Sequence, residues 1–132
     1  MDNIKFTIPG KPEYLTMVRL AIASVANNAG FDYDAIEDIK TAVEEGCKNV
    51  SCHGFDGYSE RYELQCNVEK GKLEVLIKDD CASHTLEKLA KPCQNCPKEG
   101  DIGIYLIQTI MDEVDFGKTE DGHKQIRMVK NI

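Results

Sequence analysis

Three groups of residues combine types and spacings suited to chemistry. The first is Glu44-Glu45-Gly46-Cys47-Lys48-Asn49-Val50-Ser51-Cys52-His53. Glu45, Asn49 and His53 fall at i, i+4 and i+8, so on a helix they share one stripe. A carboxylate and a carboxamide one turn apart can orient a water or hydroxyl and supply an oxygen to Mg²⁺. The same spacing also fits a solvated helix face, although Asn is a poor residue for a helix interior. The second group is Lys78-Asp79-Asp80 at the end of an alternating run. A carboxylate there either faces a pocket, where it accepts a hydrogen bond from an amino group such as that of adenine, or opens a turn. The third is Glu99-Gly100-Asp101-Ile102-Gly103-Ile104-Tyr105-Leu106, a Gly-x-x-Gly entering a helix. Glycines at a helix entry let N–H groups approach phosphates, and they also serve as simple caps.

The elements that position these groups follow from periodicity. Lys5–Ile8 alternates as a short strand and stops at Pro9-Gly10. A helix is predicted from Pro12 to Ala29, with Leu15, Val18, Ala21, Ile22 and Val25 at helical spacing and Gly30 as its stop. A second helix is predicted from Tyr33 to Cys52, with Asp32 or Asp34 as N-cap and Ile36, Ile39, Val43, Cys47 and Val50 as its apolar stripe; Gly54 and Gly57 end it. Two strands follow. Tyr62, Leu64, Cys66 and Val68 alternate with polar residues; after Lys70-Gly71, so do Leu73, Val75 and Ile77. One sheet face is therefore buried and the other wet. Residues 80–100 carry no period and read as a functional or mobile loop. A third helix follows Gly103, with Ile104, Ile107, Ile110, Met111 and Val114 on one face; strands near Val114–Phe116 and Gln125–Val129 close the chain. The order β-α-α-β-β-loop-α-β-β predicts an α+β two-layer sandwich, a mixed, mostly antiparallel sheet with helices on one face.

The 132 residues fit a single domain. Sixteen basic against 23 acidic residues give a net charge of −7, which argues against binding nucleic acid or an anionic membrane through the overall field. No stretch approaches a membrane span and the N-terminus lacks a secretory pattern, so the expected location is cytoplasmic. In a reducing compartment the six cysteines are expected as thiols or metal ligands.

The order and spacing of the three groups resemble the GHKL ATPase family of gyrase, Hsp90, histidine kinases and MutL. The resemblance extends over about residues 5–130. Pro12-Glu13-Tyr14, Arg19-Leu20, the run Ile36-Glu37-Asp38-Ile39-Lys40-Thr41-Ala42-Val43-Glu44-Glu45, Gly103-Ile104-Tyr105-Leu106 and Met111-Asp112-Glu113-Val114 are similar to the RsbW-type anti-sigma factors and serine-protein kinases. The sporulation-type anti-sigma factors resemble this chain more distantly. The resemblance implies a histidine-kinase-like ATPase fold that binds ATP and Mg²⁺ in a Bergerat pocket under a lid. It also implies a dimer that holds a sigma factor and phosphorylates a serine of an anti-anti-sigma protein. By position, Glu45 matches the general base, Asn49 the Mg²⁺ ligand, Asp79 the adenine carboxylate, and Gly100 and Gly103 the phosphate-loop glycines. His53 matches a histidine common on this helix turn, and Arg19 matches the region where relatives contact partner proteins, against its alternative as a solvated helix arginine.

The chain departs from the family pattern at several places. Asp-x-Gly-x-Gly is replaced by Asp79-Asp80-Cys81-Ala82-Ser83, and Cys81 adds a side chain where the chain passes close to adenine. Gly46 stands in place of the common Ala, which should loosen the helix by up to ~1 kcal/mol. Cys93-Gln94-Asn95-Cys96 is a Cys-x-x-Cys that, with Cys81 and His84, has the donor types for Zn²⁺, and it also suits a redox-active disulfide. Ordinary thiols are the remaining reading. Cys47 and Cys66 are expected in the core. The alternatives to a kinase are thus an anti-sigma binding module with weak or no catalysis, and a redox- or zinc-responsive regulator on the same fold.

Overall fold

The computed structural model describes residues 1–50, 61–79, 102–120 and 123–132. Strand β1 (Asp2–Pro9) leads through one 3₁₀ turn (Pro12–Tyr14) into α1 (Leu15–Asn28) and α2 (Tyr33–Val50). The hairpin β2 (Arg61–Glu69) and β3 (Lys72–Asp79) follows, then α3 (Ile102–Ile110), β4 (Glu113–Lys118) and β5 (Lys124–Asn131).

Local chemistry sets the boundaries. Gly30 takes a φ of 97° and closes α1, a conformation that costs a Cβ-bearing residue. Asp32, of the two candidate caps, accepts the Ala35 N–H on Oδ1 at 2.9 Å and starts α2. Gly71, at φ 78°, makes the β2–β3 turn. Its N–H donates to the Ala29 carbonyl and its carbonyl accepts from Ile132, so one turn ties the end of α1 to the end of β5.

The sheet runs β1-β2-β3-β5-β4, and all the described pairings are antiparallel rather than mixed. β1 is longer than the local alternation of Lys5–Ile8 indicates, because β2 supplies hydrogen-bonding partners from Asp2 opposite Val68 to Pro9 opposite Arg61. Pro9 is tolerated at the end of an edge strand, where its missing N–H leaves no interior ladder bond unmade. Val114, grouped with the third helix by spacing, belongs to β4 opposite Met128.

Tyr62, Leu64, Cys66, Leu73, Val75, Ile77, Ile126 and Met128 form the buried sheet face. Against it pack Val18, Ile22 and Val25 of α1, Ile39, Val43, Cys47 and Val50 of α2, and Ile107 of α3. Helix α2 lies between α1 and α3 and rests on β3 and β5. The other sheet face is polar, as alternation requires. There Glu74 accepts from Asn67 Nδ2 at 2.7 Å and from Arg127 Nε at 2.6 Å, and Arg127 also reaches Asp115 at 3.1 Å. The Asn67 hydrogen bond and the Arg127 guanidinium hold the Glu74 carboxyl below the usual carboxylate range.

Candidate functional site

The three groups converge where the C-terminal half of α2, the N-terminus of α3 and the ends of β3 and β5 meet. The apolar stripe of α2 faces the sheet and turns the adjacent stripe, with Glu45 and Asn49, toward α3. Gly46 sits on the sheet side. A Cβ there would come within 2.7 Å of Ile77 Cδ1 and 2.9 Å of Met128 Cε, so the missing side chain lets the helix lie close on β3 and β5. Gly46 thus has a packing role in addition to the loosening of the helix expected from its propensity.

The two carboxylate oxygens of Glu45 face different neighbours. Oε1 lies 3.5 Å from Lys48 Nζ, which also reaches Glu44 at 3.9 Å. Oε2 lies over Gly103, where a Cβ would approach it to 2.6 Å. Only glycine lets the carboxylate seat against the start of α3, where helix N–H groups and the helix dipole favour negative charge. The structure thus brings Glu45 and Gly103, 58 positions apart by number, into direct contact.

Asn49 is 7% exposed, which removes the reading of a solvated helix face at that position. Its main-chain carbonyl accepts a hydrogen bond from Lys124 Nζ at 3.0 Å. Asp79 ends β3 with no exposed surface, opposite Tyr62 on β2. Burying a carboxylate is costly without polar partners, so this environment differs sharply from that of a solvent-facing turn residue. The β3–β5 ladder ends at the Lys78–Gln125 pair, with Asp79 the last residue of β3 and Lys124 the first of β5.

Arg19 lies apart from this cluster, on α1 at the opposite flank of α2. It is 42% exposed at its side chain and forms a 3.6 Å ion pair with Glu44, the neighbour of Glu45. His53, Gly100, Cys81, His84, Cys93 and Cys96 lie outside the described residues. Among the described residues no group of three or more His, Cys, Asp or Glu side chains is arranged to hold a metal ion. No described helix is long and apolar enough to cross a membrane. Cys47 and Cys66 are buried thiols, as expected. Burial pushes each up to about 12, so both stay protonated at neutral pH. Lys48 and Lys124 escaped sequence reasoning. Lys48 could have been found from its spacing to Glu44 and Glu45. Lys124 becomes visible only once β5 is known to lie beside β3.

Comparison with known proteins agrees with this architecture. The family profile described as histidine kinase-like ATPase domain matches residues 8–130. Serine-protein kinase RsbW of Halalkalibacterium halodurans is 34% identical over 138 residues, an alignment covering 98% of this chain and 83% of that protein. RsbW of Bacillus thuringiensis is 34% identical over 122 residues, covering 86% of this chain and 76% of its own. The solved RsbU and RsbW domains of a Mycobacterium tuberculosis protein superpose with a TM-score of 0.68 at 13% identity. That match covers 99% of this chain and 32% of the solved one, so this chain spans about a third of its length. With its fold, its residue pattern and these relatives in agreement, the chain belongs to the RsbW family of histidine kinase-like ATPases.

Proposed function

We propose that this chain is an anti-sigma factor and an ATP-dependent serine-protein kinase. In this reading it works as a single-domain homodimer in the cytoplasm, holds a sigma factor, and phosphorylates a serine of an anti-anti-sigma protein. The observation that carries the reading is the seating of the Glu45 carboxylate over Gly103, with buried Asn49 one turn further along α2 and buried Asp79 at the sheet end.

The residues fit ATP with Mg²⁺. Asp79 offers a carboxylate to an amino group at a site shielded from water. Asn49 offers a carboxamide oxygen, a hard donor suited to Mg²⁺. The bare Cα of Gly103 opens the N–H groups at the start of α3 to phosphate oxygens. When bound, ATP supplies the phosphoryl group and Mg²⁺ offsets the charge on its phosphates. The chain's share is placement, which dominates phosphoryl transfer. Glu45 orients the serine hydroxyl and takes its proton, while Lys48 on Oε1 restricts how the carboxylate turns. Gly100 and His53 are assigned to the same pocket by position. Arg19, half-exposed on α1, is assigned to partner contact, and Cys93 and Cys96 remain candidates for a zinc or redox role.

Thermal unfolding with ATP, with and without Mg²⁺, tests nucleotide binding. Nucleotide at ~100 times its dissociation constant adds ~2.7 kcal/mol, a shift of several degrees. Glu45→Ala should keep that shift and lose phosphoryl transfer to an anti-anti-sigma protein by about 10²–10⁴-fold. Absence of any shift at millimolar Mg²⁺ and ATP would leave a non-catalytic binding module as the better reading.

A further inference from the structure

Lys124 is the first residue of β5, and its ammonium group reaches the carbonyl of Asn49 at 3.0 Å, across 75 positions of sequence. The carbonyl lies in the last described turn of α2, where a lysine ammonium is favoured both by a charge-assisted hydrogen bond and by the negative end of the helix dipole. The β3–β5 ladder ends at the Lys78–Gln125 pair, and Asp79 and Lys124 are the next residues on their strands. Side chains opposite one another in an antiparallel pair share a face. Lys124 and Asp79 therefore both point to the helix side, while Gln125 and Lys78 point away. One side chain thus ties the start of β5, the strand next to the one that ends in Asp79, to the helix turn that carries Asn49.

We propose that Lys124 is a positioning residue for nucleotide binding. By holding the main chain of Asn49 it fixes where the Asn49 carboxamide stands relative to Asp79, and so sets the spacing between the metal-binding and base-binding ends of the pocket. The inference rests on the assignment of Asn49 as the Mg²⁺ ligand. Lys124 acts through Asn49 and need not touch nucleotide. Partners that orient a metal ligand typically matter by about 10–100-fold in metal affinity.

The test measures the ATP dissociation constant in Mg²⁺ and in EDTA, together with the nucleotide-free unfolding midpoint, for wild type, Asn49→Ala, Lys124→Met and Lys124→Arg. The wild type is expected to bind ATP more tightly with Mg²⁺, and Asn49→Ala to lose that advantage. Lys124→Met should lose about 10–100-fold of the Mg²⁺ advantage while affinity in EDTA and the midpoint stay near wild type, and Lys124→Arg should restore most of it. A wild-type Mg²⁺ advantage in Lys124→Met overturns the proposal and leaves the role of Asn49 standing. Equal loss with and without Mg²⁺ overturns it in favour of direct contact with nucleotide. A collapsed midpoint in both lysine variants overturns it in favour of a purely structural role. No Mg²⁺ effect in the wild type overturns the role of Asn49 and the proposal together.

Discussion

A methyl group at residue 103 would stand 2.6 Å from Glu45 Oε2, closer than a Cβ and an oxygen can rest. Gly103→Ala must therefore push the carboxylate off the start of α3. The methyl displaces the assigned base outright but only crowds one of the groups assigned to ATP, the N–H groups at the start of α3, and leaves Asp79 and Asn49 alone, so ATP binding should weaken less than catalysis. The expected outcome is a fall in phosphoryl transfer of at least ~10²-fold, the scale of a misplaced base. The dissociation constant for ATP should change by less than tenfold, or ~1.4 kcal/mol. Equal loss of both would show that Gly103 serves the phosphates more than it serves Glu45. The ion pairs around Glu45 call for a smaller expectation. Lys48 is half-exposed and sits 3.5 Å away, so Lys48→Met should cost no more than ~0.5 kcal/mol of stability.

At the scale of elements, α2 carries the candidate site residues Glu45 and Asn49 and also rests on β3 and β5 of the sheet. Gly46 is where these two roles meet. Helix propensity alone says Gly46→Ala should stabilise by up to ~1 kcal/mol. Packing opposes that gain, because the added methyl would lie 2.7 Å from Ile77 Cδ1 and 2.9 Å from Met128 Cε, and both side-chain ends must move aside. Overpacking costs ~1–3 kcal/mol, and flexible side-chain ends keep it at the low end, so the two effects nearly cancel and the net change in stability is expected within about 1 kcal/mol of zero. Urea unfolding of the single mutant, of Ile77→Val and of the double mutant checks it. Removing Cδ1 should cost less in the Gly46→Ala background than in wild type, since it relieves the overlap. Additive costs would show that the helix shifts as a unit instead. The polar face of the sheet behaves differently. There Glu74 is held by groups on β2 and β5, and its lowered pKa means that the stability it contributes is present at neutral pH and lost as pH falls.

At the scale of the whole molecule, burial of two thiols between helices and sheet makes the fold sensitive to alkali. Both Cys47 and Cys66 move from 9.0 up to about 12, mainly because burial penalises the thiolate; the Tyr62 hydroxyl beside Cys47 is pushed up as well. In the unfolded chain the thiols lose their protons near pH 9, and in the folded chain they do not. Their contribution is therefore intact below pH 9 and lost as pH rises from 9 toward 12, at up to ~1.4 kcal/mol per pH unit for each thiol. Urea midpoints should fall between pH 8 and pH 10.5, and less steeply in Cys66→Val. Native protein treated with a thiol reagent at pH 8 should leave both residues unmodified, as peptide mass mapping would read. Rapid labelling of Cys47 would contradict the closed core.

Much of this molecule was legible in its residues because the forces involved are local. Period-2 and period-3.6 patterns mark which face of each strand and helix meets water, and the glycines at 30 and 71 mark where the chain must turn with positive φ. Asp32 follows the ordinary rule for a helix cap. The residue types and spacing of Glu45, Asn49, Asp79 and Gly103 carried the family resemblance, since chemistry that depends on position needs particular groups at particular intervals. What the tertiary structure alone decided is which distant residues meet. The pairing of β3 with β5 across an intervening helix and strand brings the start of β5 next to the end of β3 and lets Lys124 reach the carbonyl of Asn49, and no local pattern encodes that register. The close approach at Gly46 and the seat of Glu45 on Gly103 likewise arise only when helices are packed to crystal-like density, where a single missing Cβ determines what fits.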